Sequence, residues 1–495
     1  SGLSPFDSTE AGTTSFTDEP DPGQTYYYRV TAVDTSGAES GFSGEASAFL
    51  YPSEVTASAS RTFGGATDSS GYRLVALPGQ ADRSIADAVG GEAGSQWNAY
   101  VDDGSETDYL VEFDESEAET FTFQKGNGFW LTATSEWTFE ESISTVELRG
   151  DSATTVPLRE GWNVISNPTG KDVAWSEVEA ATPGTLQAIW GFDGSFEQAQ
   201  TFRSAASGRA YYFFNDDSSR DSLVVPYPGA PGMNKSSKKA TEEAPMLALT
   251  AAPSEAEGAP GSTVRLGISE GATPGVGAED LIAPPGRFAE TSLRIEAPTE
   301  AAGSEQSARA DLLMAEQRPP AETRSGESSG HTFRLRLTSR AEGPMTLTAE
   351  NLSALEGRSV ALLHPAERAT YDLREKQAVT IEPSGEPVAL KAAVGTEAYV
   401  DTQTDKMLPE EVTLTSYPNP VSRQGTLAYA LPEETEVTLR VYDVLGRQVA
   451  TLATGRKAAG RHTVQLETDQ LSSGVYFGRL TAGDQTLTQK ITVVR

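Results

Sequence analysis

"YPNPVSRQGTLAYALPEETEVTLRVYDVLGRQVATL", Tyr417 to Leu452, carries the pattern of a β-strand protein. Within it "GTLAYAL" and "EVTLRVYD" alternate apolar and polar residues, so Val437, Leu439 and Val441 fall on one side of a strand. Pro418 and Pro420 have no N–H to give to a ladder, which puts an extended entry segment ahead of the first strand. Gly446 allows the tight turn that a β-branched residue would strain. From Leu414 to Arg495 the alternation continues through "RQVATLA", "RHTVQLE", "GVYFGRLTA" and "QTLTQKITVV", joined by Gly-rich or acidic turns. Six or seven strands of this length predict a small immunoglobulin-like sandwich over 412–495.

Outward from that segment the chain keeps the same character. Its 495 residues exceed what one hydrophobic core serves, so roughly three to five domains are expected. The fold class is all-β, several antiparallel sandwiches in tandem with Pro/Gly/Glu-rich linkers. Residues 1–52 hold "DPGQTYYYRVTAVDTSGAES", with Tyr26, Tyr28, Val30 and Ala32 at the period of a half-buried strand. Residues 53–228 are a duplicated β module with copies at about 60–140 and 150–228, because "GYRLVALPG" (Gly71 to Gly79) overlies "GWNVISNPT" (Gly161 to Thr169) and Tyr100, Asp103, Gly104 and Ser105 overlie Trp190, Asp193, Gly194 and Ser195. The first copy carries an insertion around Thr107 to Glu119. Residues 229–261 read as a linker interrupted by one short apolar strand, Met246 to Thr250. Residues 262–394 read as a sandwich of about eight strands with two long loops, Gly271 to Arg287 and Ala297 to Gly330, the second disordered by composition. Residues 395–411 read as a further linker.

Charge and chemistry exclude several function classes. With 71 acidic against 38 basic residues, only ten of them lysine, the formal charge is −33. Dense carboxylates with little lysine read as the surface of a halophile's protein, although an ordinary acidic exported protein has the same sign. No basic stripe exists for phosphates, so nucleic acid is excluded as a partner. The absence of cysteine removes disulfides, thiol catalysis and thiolate metal sites. No apolar run approaches the ~20 residues of a membrane span, and "SGLSPFDSTEAG" has no n-region followed by an apolar h-region. The chain is therefore expected to continue upstream into a signal peptide and a further domain.

Candidate sites are few. His331, His364 and His462 are the imidazoles, scattered and without HExxH spacing; GxSxG and Walker A motifs are absent, so neither catalytic residues nor a cofactor are expected. The acidic turns Val101 to Asp108 and Asn215 to Ser222 offer oxygen ligands for Ca²⁺, but neither fits the twelve-residue calcium loop, and solvated turns are the favoured reading. All 6 tryptophans lie in the duplicated module. Core packing is the main expectation for them, and an exposed glycan-stacking platform at Trp130 and Trp190 the alternative.

Three resemblances bear on function. Pro22-Gly23 with Tyr26 resembles the tyrosine corner of a fibronectin type III domain, of which 1–52 would be the F strand, FG turn and G strand. The duplicated module resembles "GWNLISNP" repeats of exported proteins of the Bacteroidota and their relatives. "YPNPVS" (Tyr417 to Ser422), "VYDVLGRQVATL" (Val441 to Leu452) and "GVYFGRLTAGDQTLTQKITVVR" (Gly474 to Arg495) together resemble the type A C-terminal sorting domain of the type IX secretion system. The motif positions are Tyr417, Pro418, Asn419, Pro420, Gly446, Arg447, Gly474, Tyr476, Lys490 and Arg495. This last resemblance implies recognition by the type IX translocon, a secreted or outer-membrane surface location reached through the periplasm, and removal of the tail by cleavage within 395–411. With the acidic composition it implies a halophilic source of Bacteroidota or Rhodothermota type. The expected function is the non-catalytic C-terminal region of an exported surface protein, with β modules as spacers or adhesive elements toward surface glycans, other surface proteins or copies of itself. The alternative is a carbohydrate-binding accessory region of a larger secreted hydrolase.

The charge makes a prediction of its own. Raising NaCl from about 0.1 M to about 1 M shortens the screening length from ~10 Å to ~3 Å, so the thermal unfolding midpoint should rise with salt. A midpoint that falls over this range, followed by circular dichroism, contradicts the reading of the surface.

Overall fold

The computed structural model describes residues 7–13, 15–63, 71–105, 108–117, 119–150, 152–230, 245–254, 261–273, 275–298, 312–321, 329–341, 343–383, 385–406, 411–468 and 471–494. It divides into two compact units, Ser1–Glu243 with Pro284–Ala289, and Ala244–Ala283 with Glu290–Arg495. β-strand far outweighs helix in it, as the alternation predicts.

The first unit begins with a two-stranded antiparallel sheet of Thr25–Tyr28 and Ala46–Phe49. Tyr26 sends its hydroxyl back to the Asp21 carbonyl at 2.9 Å. Two elements then occur twice in the same order. Glu54–Arg61 pairs with Trp137–Ser144, and Ala153–Pro157 pairs with Ser222–Pro226. Inside each pair lies a four-stranded sheet: Arg73–Val75, Phe129–Ala133, Trp97–Asp102 and Leu110–Glu112 in the first, Gly161–Ile165, Tyr211–Asn215, Ile189–Phe192 and Phe196–Ala199 in the second. The turn between the last two strands of each sheet runs over 103–109 in the first copy against 193–195 in the second, which accounts for part of the length difference between copies.

Each copy also carries a short helix that alternation does not reveal. Ile85–Val89 is capped by Ser84, whose side chain accepts from the Asp87 N–H, and buries Ile85 and Ala88. Trp175–Ala181 buries Trp175 and Val178 at the i, i+3 spacing. The two copies touch closely enough that a Cβ on Gly128 would stand 2.5 Å from the Ala210 Cβ and 3.1 Å from the Val164 Cγ1. A polar bridge joins them as well. Asp102 accepts from Arg159 Nη2 at 2.9 Å and from the Tyr212 hydroxyl at 2.7 Å, and Tyr212 accepts in turn from Trp130 Nε1 at 3.2 Å. Burial, and then the charge of Asp102, hold the Tyr212 phenol well above its ordinary pKa, so it donates throughout the physiological range.

The second unit holds a large sheet and the C-terminal domain. Eight strands of the sheet, from Ser262–Ile268 to Val388–Gly395, lie in the span expected to be a sandwich. Three further strands join them, and hydrogen bonding runs through the whole set without a break. Leu247–Pro253, within the expected linker 229–261, sits between Ser262–Ile268 and Met345–Glu350 as an interior strand. Leu281–Ile282 and Leu312–Arg318 arise in the two expected long loops, the latter pairing parallel to Ser262–Ile268. The expectation of disorder for Ala297 to Gly330 fails over 312–318 because Leu313 to Glu316 are buried; 299–311 and 322–328 lie outside the described residues. Similarly, 395–411 is not simply a linker. Thr396 caps a helix, Glu397–Asp405, that packs Tyr399 and Val400 onto Ala361, Leu363 and Ala393.

Asp102 is 3% exposed, so removing it leaves the buried Tyr212 hydroxyl without its acceptor and takes the carboxylate from the half-exposed Arg159. Asp102→Ala should lower the unfolding free energy of the first unit by on the order of 2–3 kcal/mol, and Asp102→Asn by less. Urea denaturation of the full chain, followed by tryptophan fluorescence, reads this; wild-type stability in Asp102→Ala would show the bridge to be incidental.

Candidate functional site

The C-terminal domain is a seven-stranded sandwich. One sheet is Thr413–Tyr417, Gln424–Leu431 and Gly460–Glu467, the other Gln448–Lys457, Thr435–Asp443, Gly474–Ala482 and Gln485–Val493. Val437, Leu439 and Val441 are fully buried and meet Leu427, Leu431, Leu480 and Ile491 between the sheets.

The motif residues fall into three places. Pro418 and Pro420 bracket Asn419 and supply no N–H, and Asn419 pairs through its side chain instead. Its Nδ2 donates to the Lys490 carbonyl at 2.9 Å and its Oδ1 accepts from the Thr492 N–H at 2.9 Å. Backbone pairing takes over at Val421, whose N–H donates to the Thr492 carbonyl at 2.7 Å and whose carbonyl accepts from Val494 at 2.8 Å. The amide of Asn419 thus stands in for a peptide group along the edge of the last strand. Lys490 contributes its carbonyl while its side chain is exposed, and Arg495 lies outside the described residues.

The second place is the tip of the hairpin between Thr435–Asp443 and Gln448–Lys457. Gly446 takes the left-handed conformation, φ 76°. Asp443 Oδ1 accepts from the N–H groups of Leu445 and Arg447, both at 2.9 Å, and its Oδ2 accepts from Arg447 Nε at 2.7 Å. These bonds, that of the Arg447 N–H first, hold the Asp443 carboxyl below its ordinary pKa. The turn is therefore built by Asp443, Gly446 and Arg447, and it leaves Val444 67% and Leu445 76% exposed. Asp443 and this apolar pair escape a reading based on strand alternation, although an Asp four residues before an Arg across a glycine is a legible turn signal.

The third place is the strand pair at the chain end. Gly474 opens the Gly474–Ala482 strand, and Tyr476, 8% exposed, anchors it by donating to the Ser472 carbonyl at 3.0 Å. Tyr417 stays half exposed at the outer edge.

Other candidates are not brought together. The expected glycan platform does not form: Trp130 is 1% and Trp190 2% exposed, because both rings lie in the core of the duplicated module, and Phe288 of the 284–289 segment covers Trp130 at 4.8 Å. The acidic turns are held by internal partners. Arg220 reaches Asp216 at 3.1 Å and Asp217 at 3.7 Å, Asp217 accepts from Ser219, and Asp102 is engaged as described. Among the described residues no group of three or more His, Asp or Glu side chains could hold a metal ion. His331 bonds the Pro319 carbonyl, His364 is buried beside Glu367, and His462 stacks on Tyr429, three separate environments.

Comparison with known proteins bears on the tail. Residues 415–494 match the family model of the secretion system C-terminal sorting domain. Such a domain directs its chain through the type IX pathway to the outer membrane or cell surface, and this protein is exported by that route. No curated protein matches the chain. Solved structures that resemble parts of it include a polysaccharide lyase, 10% identical over 50% of this chain and 39% of that one with a TM-score of 0.16. The latent dimer of PorU from Porphyromonas gingivalis is 12% identical over 90% and 34%, TM-score 0.15. PorZ of the same organism, a surface component of its type IX system, is 9% identical over 74% and 63%, TM-score 0.16. The chain thus spans 39% and 34% of the first two, and likenesses at these scores carry no argument about fold or activity.

Asn419→Ala should accelerate amide hydrogen exchange at Thr492 about fivefold, the equivalent of ~1 kcal/mol for a lost hydrogen bond. The Val494 amide, bonded to the Val421 backbone, should change less. Equal exchange at Thr492 in wild type and variant contradicts the strand-surrogate role.

Proposed function

We propose that this chain is the C-terminal region of a modular surface protein in which the duplicated module and the sandwich are non-catalytic spacers or adhesive elements, and the last domain is the address read by the type IX translocon. The observation that carries the reading is the hairpin tip. Asp443 and Arg447 bond each other across Gly446, and the apolar pair they hold out, Val444 and Leu445, has no role in the core. An exposed pair of this kind on a domain of −33-charged protein is a handle for an apolar receptor cleft, while the edge at Tyr417 lies on a different strand.

The spacer reading is supported by how completely the aromatic side chains of the module are spent on its own cores: every tryptophan is at most 4% exposed. Adhesion toward surface glycans, other surface proteins or a second copy would fall to its outer faces. The N-terminal hairpin, with the Tyr26–Asp21 bond, fits the F and G strands of a fibronectin type III domain; a halophilic source fits the charge. Cleavage of the tail would fall between the end of the Glu397–Asp405 helix and the start of Thr413–Tyr417, because the helix itself is packed.

The test is export in a bacterium with the pathway. Replacing Val444 and Leu445 by serine, which leaves the core untouched, should move most of the protein from the surface to the periplasm, and intact mass of the surface form should place its C-terminus between 405 and 413. Undiminished surface display of the double variant would remove the tip from recognition.

A further inference from the structure

The tail departs from the charge of the rest of the chain. Residues 412–495 hold 9 of the 38 basic residues and 7 of the 71 acidic ones, so a slightly basic domain closes a chain with a formal charge of −33. Three of those basic residues share one face. In the four-stranded sheet Val437, Leu439 and Val441 point into the core, which turns Arg440 and Tyr442 outward. Register then sets Arg440 directly opposite Arg479 and Tyr442 directly opposite Phe477, with Lys490 beside Phe477 on the last strand. On its other side each arginine of the pair faces a threonine.

Like charges directly opposite one another in a sheet start about 5 Å apart and repel. No carboxylate answers this pair. Among the described residues Arg440, Arg479 and Lys490 have no ion-pair partner, and all three are exposed. The ion pairs of the domain, Asp443 with Arg447 and Glu434 with Arg456, lie at the hairpin tip and at the opposite end of the sheet. The carboxylate that shares the face on the same strand, Glu436, is separated from Arg440 by four residues, about 13 Å. On a chain with 71 acidic residues to 38 basic, an uncompensated cationic trio is the reverse of what composition supplies. Tyr442 and Phe477 are only half-buried beside it and add apolar area to the charge. Guanidinium forks fit phosphate in a bidentate way, and aromatic rings next to charge suit a boundary that is wet on one side and apolar on the other.

We propose that this face docks on anionic lipid headgroups of the membrane surface to which the sorting domain directs the chain, with Arg440 and Arg479 sharing a headgroup phosphate and Lys490 beside them. Charge complementarity selects the occupant. An anionic surface repels the carboxylate-rich remainder of the chain and attracts this face. The contact goes beyond the address reading, since it needs neither the translocon nor the Val444–Leu445 tip.

Flotation of the full chain with vesicles at about 0.15 M NaCl tests this. Vesicles of phosphatidylcholine with about one-third phosphatidylglycerol should carry the wild type up the gradient, and vesicles of phosphatidylcholine alone should leave it behind. Arg440→Gln combined with Arg479→Gln should weaken binding about thirtyfold. Arg423→Gln combined with Arg461→Gln removes the same charge at exposed side chains on or next to strands of the other sheet, and should change binding less than about twofold. Should the first pair unfold, Lys490→Gln decides, with a loss of about fivefold. Equal loss in the two pairs, equal flotation with neutral vesicles, or no flotation of the folded wild type overturns the proposal. Retention on polyglutamate beads without vesicle binding would assign the face to an acidic protein and overturn the lipid reading as well.

Discussion

The last strand of this protein, Gln485–Val493, must be closed along one edge by a segment with two prolines in it, and everything known of the tail depends on how that is done. A proline cannot donate to a ladder, so the backbone of 418–420 is unable to pair in the usual way. Asn419 supplies one donor and one acceptor from its side chain and so completes the edge across the gap, after which Val421 resumes backbone pairing. An open edge on an exported β-sandwich is a site of unwanted pairing. The motif therefore has a structural reason that is independent of any receptor.

A second constraint acts on the rest of the chain. Without cysteine, strands this short depend on large buried side chains. In the duplicated module the answer is aromatic. Trp97, Trp130, Trp162 and Tyr212 are all nearly or fully buried, and Trp130 and Tyr212 connect the two copies through one carboxylate, Asp102. Each copy also has a carboxylate in contact with arginine, Asp102 with Arg159 and Asp193 with Arg61 and Arg209.

Much of the fold was legible and the reasons for the exceptions are physical. Strict alternation at Val437, Leu439 and Val441, or at Phe333, Leu335 and Leu337, marks strands with one wet face, and those strands are where the period put them. Leu312–Arg318 escaped because its buried residues run consecutively, as in a strand covered on both faces, within an Ala/Glu-rich context. The helices escaped because five to nine residues are too few for a 3.6 period to register. Of the candidate site, the glycines and prolines were readable as turn and entry chemistry. The Asn419 edge was not, since its partner lies 71 residues away in the chain.

The final domain should be sufficient as an address. Residues 412–495 should be fused behind a signal peptide and a fluorescent reporter, and the reporter followed in cells that have the type IX translocon and in cells that lack it. Reporter is expected at the surface or in the medium, without its tail, only where the translocon is present. Reporter retained in the periplasm of both strains would mean that the domain is a sandwich and nothing more.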